Sequence, residues 1–435
     1  MNSITWICLG LVLCAPRTGA AQTSLGLDSC LVLALRNSPG LRSADNAVRA
    51  AGLARSELGT TVLPQLQAVV DAVYTPVPPK YGYDPAITDG GEVRGLISLR
   101  QSVYDSGLRS LRSDQFSVDI ERLGNERRLA ALDLTLAVKQ AFYESLRARA
   151  EVALQRESVD QLEGYLGLVR RLYKGGSASA TDLLKSELQA SSARLALAKA
   201  RESSSGALIA LEELVGIRPD TSLRLNGSLE EASGPPPDTA GGGRFDPAAT
   251  LDMNVAGMLV RRSMLDEDIA RHERLPEISL FADAGYLSSG DNLRLPSPER
   301  LNGLGYEVGL GIQVPILNWG ATGLRTEQKE VATDDLRNRR EMLRRSIASD
   351  AVRLRVQIAG AGERLRVLRD NLTKASDSFI LTKSKFAAGA SLSLEVLSAQ
   401  QALTDARLAE IQTLADIRSF TAKLERLNSH SGEPR

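Results

Sequence analysis

Residues 63–74 read LPQLQAVVDAVY, and residues 275–286 repeat them as LPEISLFADAGY. In both copies apolar and polar residues alternate, which is typical of a β-strand whose two faces meet different surroundings. The polar positions are Gln65, Gln67, Asp71, Glu277, Ser279 and Asp283. Each stretch is therefore predicted to be a strand with one apolar face and one polar face.

A long loop follows each strand, at 75–91 in the first copy and at 288–303 in the second, and a second alternating segment follows each loop. In these segments Val93, Ile97 and Leu99 alternate with Arg94, Ser98 and Arg100, and Tyr306, Val308, Leu310 and Ile312 alternate with Glu307 and Gln313. The two copies are therefore predicted to be β-hairpins.

Two kinds of surroundings could explain these hairpins. A soluble hairpin with one buried face alternates identically. The strands, however, are about 10 to 12 residues long, which is the length that a tilted strand needs to cross a bilayer. Aromatic residues also occupy strand ends, where the interfacial girdles of membrane barrels belong; they are Tyr74, Tyr286 and Tyr306 at one end and Tyr104 and Trp319 at the other. A membrane sheet is the favoured interpretation.

Further landmarks repeat at the same spacing as the strands. Residues 102–107 recur as 315–320, and the turn at 173–176 recurs as 386–389, with offsets of 212 or 213 throughout. A constant offset over this distance indicates a tandem duplication. The predicted organisation is a signal peptide at 1–21, a first repeat at 22–218, a linker at 219–247, a second repeat at 248–428 and a tail at 429–435.

Each repeat is predicted to begin with a helix and to continue from its hairpin into a very long helix. Residues 108–172 contain no Pro, and a helix of that length would extend roughly 100 Å. Residues 321–385 match it, and after a glycine turn the helices at 181–215 and 394–427 return. Such helices have too little apolar face to surround a globular core, so they are predicted to form a wall with neighbouring helices.

The composition excludes several classes of function. The chain has 53 basic and 53 acidic residues, so no net field would recruit nucleic acid. It has two His residues, and removal of a signal peptide would leave Cys30 as the one cysteine; we therefore expect no metal site, disulfide or cofactor. No segment has 18 apolar residues in a row, so a chain of this kind would have to enter a membrane as a closed barrel.

The N-terminus has the pattern of an export signal. An apolar run from Ile4 to Cys14 precedes small residues that end at Ala21, which predicts a secretory signal peptide cut near Ala21. Lipid attachment at Cys14 is the alternative, although Leu13 is a poor residue immediately before a lipidated cysteine.

The number of strands requires several copies if the sheet lies in a membrane. Two hairpins give four strands per chain, whereas the smallest membrane barrels have about eight. Open edges would leave unpaired backbone groups in lipid at several kcal/mol each. Three copies would supply twelve strands, and counting alone also allows two or four copies.

The order of these elements resembles the TolC-like outer-membrane efflux family, from residue 25 to about residue 427. The resemblance rests on the opening helix at 25–39, the strand start at 63–66, the corner at 314–320 and the turn at 385–389. It implies a mostly helical protomer, a homotrimer with a twelve-stranded barrel in outer-membrane lipid, and a twelve-helix periplasmic tunnel in a Gram-negative bacterium. It also implies a passive channel, not an enzyme, that serves efflux or type I secretion with a periplasmic adaptor (membrane fusion protein) and an inner-membrane RND or ABC-type pump.

The resemblance assigns expected positions to individual residues. The polar strand positions would line the barrel lumen, and they are Gln65, Gln67, Asp71, Glu277, Asp283 and Glu307. The two helix turns would be periplasmic tips that touch the adaptor, and they contain Gly175, Gly176, Ser177, Ala388, Gly389 and Ala390. The linker and the C-terminal residues would lie near a belt partway along the tunnel.

Acidic residues just after each turn would narrow the entrance of the pore and attract cations. Glu395 occupies such a position, and Asp182 is its counterpart in the first repeat. A purely local role is the alternative, because an acid in the first turn favours the helix dipole and Ser179 with Asp182 fits a capping box. Family members can carry a basic residue and a second acid nearby, where this chain has Ser391 and Ser398; this departure argues against a gate locked by ion pairs.

Three other classes of protein fit the sequence less well. The chain has no Ser-His-Asp order, Walker loop or zinc spacing, which are the usual signs of an enzyme. A periplasmic adaptor, or a helical scaffold without a pore, would also contain long helices. An adaptor, however, has one helical hairpin among several small β-domains, whereas this chain has two hairpins and little else.

Overall fold

The computed structural model describes residues 24–73, 92–219, 224–230, 245–289 and 303–429. The predicted signal peptide, Tyr74 and the loop at 75–91 lie outside these residues, as do most of the second loop, of the linker and of the tail. None of the helices within the described ranges has both the length and the apolar composition needed to cross a membrane.

The secondary structure follows the duplicated order. The first part of the chain contains strand β1 (Ser24–Leu25), helices α1 (Leu27–Asn37) and α2 (Pro39–Thr60), strands β2 (Gln65–Val73) and β3 (Glu92–Tyr104), and helices α3 (Leu108–Lys174) and α4 (Ala180–Val215). The second part contains strand β4 (Arg224–Leu225), a 3-10 turn (Pro247–Ala249), helix α5 (Leu251–His272), strands β5 (Glu277–Ser289) and β6 (Gly303–Gln313), and helices α6 (Ala321–Ala387) and α7 (Ser393–Leu427).

Matching elements of the two repeats agree in length. Helices α2 and α5 each have 22 residues, and α3 and α6 each have 67. The long helices begin at Leu108 and Ala321, as predicted, and end two residues later than predicted. The predicted succession of helix, two strands, long helix, tight turn and returning helix is confirmed in both repeats.

The opening segment at 25–39 differs from the single helix that the sequence suggested. Helix α1 ends at Asn37, Ser38 has φ −57° and ψ 119°, and α2 begins at Pro39. A residue before proline is pushed out of the α region by the pyrrolidine ring, and proline is well suited to the first position of a helix. Pro39 therefore ends one helix and begins the next.

Contacts divide the chain into two compact units, and each unit takes residues from both repeats. The first unit consists of the described parts of Met1–Ser38, Leu134–Gly242 and Leu354–Lys423. The second consists of the described parts of Pro39–Asp133, Gly243–Arg353 and Leu424–Arg435. The duplication in sequence is therefore not a division into one folded unit per repeat.

The first unit is helical and has two apolar clusters. One surrounds Cys30, whose burial raises the pKa of its thiol to about 11. It includes Ala34, Val138, Phe142, Leu146, Leu211, Val215 and Leu414. The other cluster lies beside the two helix turns and includes Leu162, Tyr165, Val169, Leu197, Phe386, Val396 and Leu403.

The first part of the predicted linker packs against this unit. Strand β4 pairs in parallel with β1, and Leu225 and Leu229 are buried in the cluster around Cys30. Arg149 of α3 donates hydrogen bonds to the carbonyl oxygens of Leu225, at 2.6 Å, and of Gly227. This part of the linker therefore holds β1 in place, beyond the connecting role expected from its sequence.

The second unit contains a four-stranded antiparallel sheet in the order β2-β3-β5-β6. The two predicted hairpins are confirmed, and β3 of the first repeat pairs with β5 of the second. In the helical part of this unit, Arg426 at the end of α7 donates hydrogen bonds to Asp252 at the start of α5 and to Asp133 of α3, each at 2.8 Å. Three helices of this unit are thus joined by charge-assisted hydrogen bonds, of which the one to Asp252 is partly buried.

Candidate functional site

The polar face of the sheet forms continuous rows across all four strands. Gln67 lies directly opposite Ser98, Ser98 opposite Asp283, and Asp283 opposite Glu307. Residues directly opposite each other in an antiparallel sheet share a face. The strand pairing therefore brings the predicted polar positions of both repeats together on one side of the sheet.

The remaining predicted positions lie on the same face. Gln65 begins a neighbouring row that continues through Arg100 to Phe281. Glu277 lies opposite Gln313. Asp71 lies four residues after Gln67 in β2 and therefore shares its face. Within the Gln67 row, the carboxylates of Asp283 and Glu307 project from adjacent strands, which concentrates negative charge and is unfavourable without a counter-charge. One carboxylate oxygen of Asp283 is buried and has no hydrogen-bond partner among the described residues. This row can attract cations.

The opposite face of the sheet is apolar and exposed. Val70, near the end of β2, is 79% exposed, and Ile312 of β6 is 69% exposed. The other large exposed side chains on this face are Leu66, Ile97, Tyr286, Leu304, Tyr306, Val308 and Leu310. A contiguous apolar surface of this size is typical of a surface that meets lipid or another protein.

Three of the aromatic residues predicted at the strand ends lie on the strands, and they are Tyr104, Tyr286 and Tyr306, whereas Trp319 lies six residues beyond the end of β6. Tyr286 and Tyr306 lie near one end of the apolar face, where Tyr306 is opposite Ala284. A β-bulge between Ser102 and Tyr104 brings Tyr104 opposite Ile278 at the other end. Tyr74 lies outside the described residues.

Trp319 has an unusual backbone conformation. Its φ is 53°, its side chain is 88% exposed, and Gly320 follows with φ 80°. A left-handed conformation costs a residue with a side chain about 1–2 kcal/mol. The counterpart in the first repeat has the same conformation, with Ser106 at φ 54° and Gly107 at φ 81°. The corner between strand and long helix is thus the same strained turn in both repeats.

A close contact on the polar face explains a glycine in β6. A Cβ added at Gly309 would lie 2.4 Å from the ring of Phe281, which packs across the neighbouring strand. Glycine at this position therefore leaves room for the aromatic ring. Sequence alternation did not identify Phe281 as part of this face, because its apolar side chain interrupts the polar pattern.

The two helix turns have the same geometry. Gly176 has φ 75° and Gly389 has φ 74°. Ser177 donates its backbone N–H to the carbonyl of Leu172 at 2.8 Å, and Ala390 donates to that of Lys385 at 2.9 Å. With the bonds from Gly176 to Tyr173 and from Gly389 to Phe386, each at 3.0 Å, these are Schellman motifs. The predicted glycine reversals are confirmed.

The two predicted gate acids have different surroundings. Asp182 forms the predicted capping box, in which its backbone N–H donates to the hydroxyl of Ser179 at 3.1 Å and its carboxylate accepts from the backbone of Ser179 at 3.2 Å. Glu395 is exposed and accepts a hydrogen bond from the hydroxyl of Ser391. The carboxylate of Glu395 is therefore more available to the surrounding solution than that of Asp182.

Near the tips, a buried hydrogen bond joins the two helical hairpins within the first unit. The hydroxyl of Tyr165 donates to the Ser393 hydroxyl at 2.8 Å, and the Tyr165 ring lies 5.2 Å from that of Phe386. Burial raises the pKa of Tyr165, which is 2% exposed. No sequence pattern predicted this pair, since Tyr165 falls within an ordinary apolar helix seam. Among the described residues, no group of three or more His, Cys, Asp or Glu is placed to hold a metal.

Residues 30–217 and 250–428 match the family described as outer membrane efflux protein. The chain belongs to this family. Its similarity to the pyoverdine export outer membrane protein OpmQ of Pseudomonas aeruginosa is 27% identity, over 89% of this chain and 81% of the relative. Its similarity to the alkaline protease secretion protein AprF of the same organism is 26% identity, over 88% of this chain and 80% of the relative.

The fold agrees with the family assignment. The crystal structure of the outer membrane protein VceC from Vibrio cholerae matches with a TM-score of 0.75 and 17% identity, over 94% of this chain and 97% of that chain. The outer membrane efflux protein described here is thus an outer-membrane export channel of a Gram-negative cell envelope. Its family transports substrates and is not a family of enzymes.

Proposed function

We propose that three copies of this outer membrane efflux protein form one passive export duct. Each copy would contribute four strands to a closed twelve-stranded barrel in the outer membrane, and its long helices would line a periplasmic tunnel. The observation that carries this proposal is the four-stranded sheet, which has an exposed apolar face, a polar face and two edge strands that pair on one side only.

The energetics of this sheet support closure by other copies. Edge strands β2 and β6 each present a row of backbone groups without a partner strand among the described residues, and such groups cost several kcal/mol each in lipid. A sheet closed on itself removes this cost. Three copies agree with the TolC-like resemblance and with a strand number in the usual range of membrane barrels.

The polar face would then line the lumen of the barrel. In the row of Gln67, Ser98, Asp283 and Glu307, the last two residues carry carboxylates. Three copies would therefore supply six carboxylates around the pore, two from each copy. Such a ring would favour cations over anions. The exposed apolar residues of the opposite face would meet the acyl chains, and the tyrosines would lie at the membrane interfaces.

The helix tips would dock the periplasmic adaptor, which in turn would connect to an inner-membrane pump of the RND or ABC type. The Schellman turns at Gly176 and Gly389 give each tip a fixed backbone shape that a partner can recognise. Of the two candidate gate acids, Glu395 is favoured, because its carboxylate is exposed while that of Asp182 is engaged in the capping box.

Two kinds of cargo are consistent with the relatives. One relative is an export protein for pyoverdine and the other is a secretion protein for alkaline protease. A passive duct can serve both roles, because the pump and adaptor would select the cargo. We therefore propose efflux or type I secretion as the physiological role.

Fractionation and electrophoresis test this proposal. The mature protein, expressed in a Gram-negative host, should be found in outer membranes as a species three times the mass of one chain that dissociates on heating. After reconstitution in planar bilayers it should conduct ions without an energy source. A soluble or inner-membrane protein without conductance would contradict the proposal and favour an adaptor or a scaffold without a pore.

A further inference from the structure

The two hairpins have the same register, which allows the repeats to be aligned residue by residue. In the first hairpin Gln65 lies opposite Arg100, and in the second Glu277 lies opposite Gln313. Adding 212 to Gln65 gives Glu277, and adding 213 to Arg100 gives Gln313. These are the same offsets that relate α2 to α5 and α3 to α6.

The junction between the repeats is also defined within one chain. Strand β3 of the first repeat pairs with β5 of the second, and this pairing places Leu99 opposite Ala282. Among the described residues, the sheet keeps two free edges, that of β2 at one side and that of β6 at the other. Strand β6 is the counterpart of β3, and β2 is the counterpart of β5.

We propose that β6 of one copy pairs with β2 of the next copy in the same register that β3 and β5 have within the chain. Leu99 plus 213 is Ile312, and Ala282 minus 212 is Val70. The pairing of Leu99 with Ala282 therefore predicts a pairing of Ile312 with Val70 of the next copy. The neighbouring pairs are Leu310 with Ala72, Gly311 with Asp71, Gln313 with Val69, and Val314 with Ala68. This inference rests on the proposed assembly and goes beyond it, because closure of a barrel by itself leaves the register open.

The faces of the two strands agree with this register. Ile312 and Val70 both lie on the exposed apolar face, and Gly311 and Asp71 both lie on the polar face. A shift of one residue would turn every side chain of one strand to the wrong face. Shifts of two residues keep the faces matched, so the repeat geometry is what selects among them.

The same alignment predicts a partner for Trp319. In the first repeat, the hydroxyl of Ser106 donates to the carbonyl of Pro276 at 2.5 Å, where α5 turns into β5. Trp319 is the counterpart of Ser106, and Pro64 is the counterpart of Pro276. The indole of Trp319 would therefore cover the turn at Val62, Leu63 and Pro64 of the next copy, where Val62 and Leu63 are exposed in the single chain. This placement differs from the position in an interfacial aromatic girdle that the sequence pattern predicted.

The contacts join different surfaces on the two copies, so the interface is head-to-tail. An interface of this type produces a closed ring when the rotation between copies divides a full turn. The junction of β3 with β5 inside the chain shows that the two repeats already form one such step without a break in the sheet. The second copy of this chain is thus the partner that fits both free edges.

Disulfide cross-linking in outer membranes tests the register. In a Cys30→Ala background, the pair Ile312→Cys with Val70→Cys should link chains into two-chain and three-chain species on non-reducing electrophoresis. The pair Leu99→Cys with Ala282→Cys is the matched control, since it has the proposed geometry inside one chain and should form its disulfide without joining chains. Ile312→Cys with Ala68→Cys and Ile312→Cys with Ala72→Cys report shifts of two residues and should yield far less.

The outcomes separate this inference from the proposed function. If a cysteine pair that reports a shift of two residues gives the two-chain and three-chain species and the Ile312 and Val70 pair does not, the proposed register is wrong, although the trimer and its conductance remain. If the internal control forms and all three pairs between copies fail in an intact heat-dissociable trimer, β6 and β2 do not meet and the inference is wrong. If no trimer or conductance exists, the proposed function fails with it.

Fluorescence of Trp319 provides an independent measurement. The sequence has two Trp residues, and Trp6 lies in the predicted signal peptide, so the mature protein would report Trp319 alone. Lipids brominated near the interface should quench it only weakly if the next copy covers the indole. Tyr306→Trp in a Trp319→Phe background is the lipid-facing comparison and should be quenched several-fold more. Equal quenching of the two probes would place Trp319 in lipid and overturn its assignment to the junction.

Discussion

The sheet and the helix tips of this chain satisfy their polar backbone groups in opposite ways. At the tips, Gly176 and Gly389 allow Schellman bonds that close each turn within a few residues. In the sheet, the edge strands β2 and β6 pair on one side only, and the apolar face around Val308 is exposed. A tip is thus complete in one chain, whereas the sheet has two free edges among the described residues, which other copies would close in the proposed assembly. Mutations in the sheet should therefore disturb assembly, and mutations at the tips should have local effects.

The largest effect is expected for a charge on the apolar face. Val308 lies midway along β6, where Val308→Arg would place a cation against the acyl chains at a cost of about 2–4 kcal/mol per copy. The heat-dissociable trimer should be nearly lost from outer membranes, as measured by electrophoresis without boiling. Gln67→Arg adds the same charge on the polar face and should leave most of the trimer intact. Equal loss in both variants would contradict the assignment of the two faces.

A smaller effect is expected on the polar face, where the Phe281 ring lies against Gly309 of the neighbouring strand. A methyl group at Gly309 would meet the Phe281 ring, and overpacking of this kind costs about 1–3 kcal/mol. Gly309→Ala should therefore lower the temperature at which the trimer dissociates. Gly305→Ala is the matched control in the same strand, because a Cβ there meets no atom within 4 Å. In a Phe281→Ala background the effect of Gly309→Ala should disappear; if it persists, the ring is not its cause.

At the tips the effect should be smaller and local. Gly176→Ala forces a Cβ into a left-handed conformation, at about 1–2 kcal/mol. Hydrogen exchange should become faster in the turn and the adjoining helix ends, while the dissociation temperature of the trimer stays unchanged. Gly175→Ala should not reproduce this, since its φ lies outside the positive range and its Cβ would make only ordinary contacts at 3.6 Å. A fall in trimer stability for Gly176→Ala would show that the tips take part in assembly.

The features that the sequence predicted are those with a local or periodic cause. Alternation defined the faces of the strands, and proline-free stretches defined the long helices to within two residues. The glycines at 176 and 389 marked the turns because a left-handed residue is needed there. The capping box of Ser179 and Asp182 was likewise readable, since its spacing of three residues is fixed by helix geometry.

The features that the sequence did not predict depend on contacts between distant segments. The hydrogen bond of Tyr165 with Ser393 joins residues 228 positions apart, and neither residue stands out from its helix. The packing of Phe281 over Gly309 required the register of β5 with β6, which alternation alone leaves open by steps of two residues. The linker strand β4 was hidden for another reason, because its two residues are too few to show a periodicity. Pairing between distant segments is thus what alternation within a single segment could not supply.

The smallest effect on stability, and the clearest on conductance, is expected for Glu395. Its exposed carboxylate accepts a hydrogen bond from the hydroxyl of Ser391, which a glutamine oxygen can also accept, so Glu395→Gln should leave the fold and the trimer unchanged. If Glu395 lies at the periplasmic entrance, the loss of its charge should shift the reversal potential in a salt gradient toward weaker cation preference. Asp405→Asn, which removes an exposed acid further along the same helix, is the matched control and should cause no shift.

Asp182 should behave differently from Glu395, because its carboxylate is engaged in the capping box. Asp182→Ala should therefore destabilise the start of α4 by about 0.3–1 kcal/mol and accelerate hydrogen exchange there, with little change in reversal potential. Glu395→Gln should show the reverse combination, since its carboxylate is not needed to close a turn. A shift in reversal potential for Asp182→Ala and none for Glu395→Gln would exchange the roles of the two acids. Because both measurements are made on the same trimers, a folding defect and a loss of pore charge can be told apart in each variant.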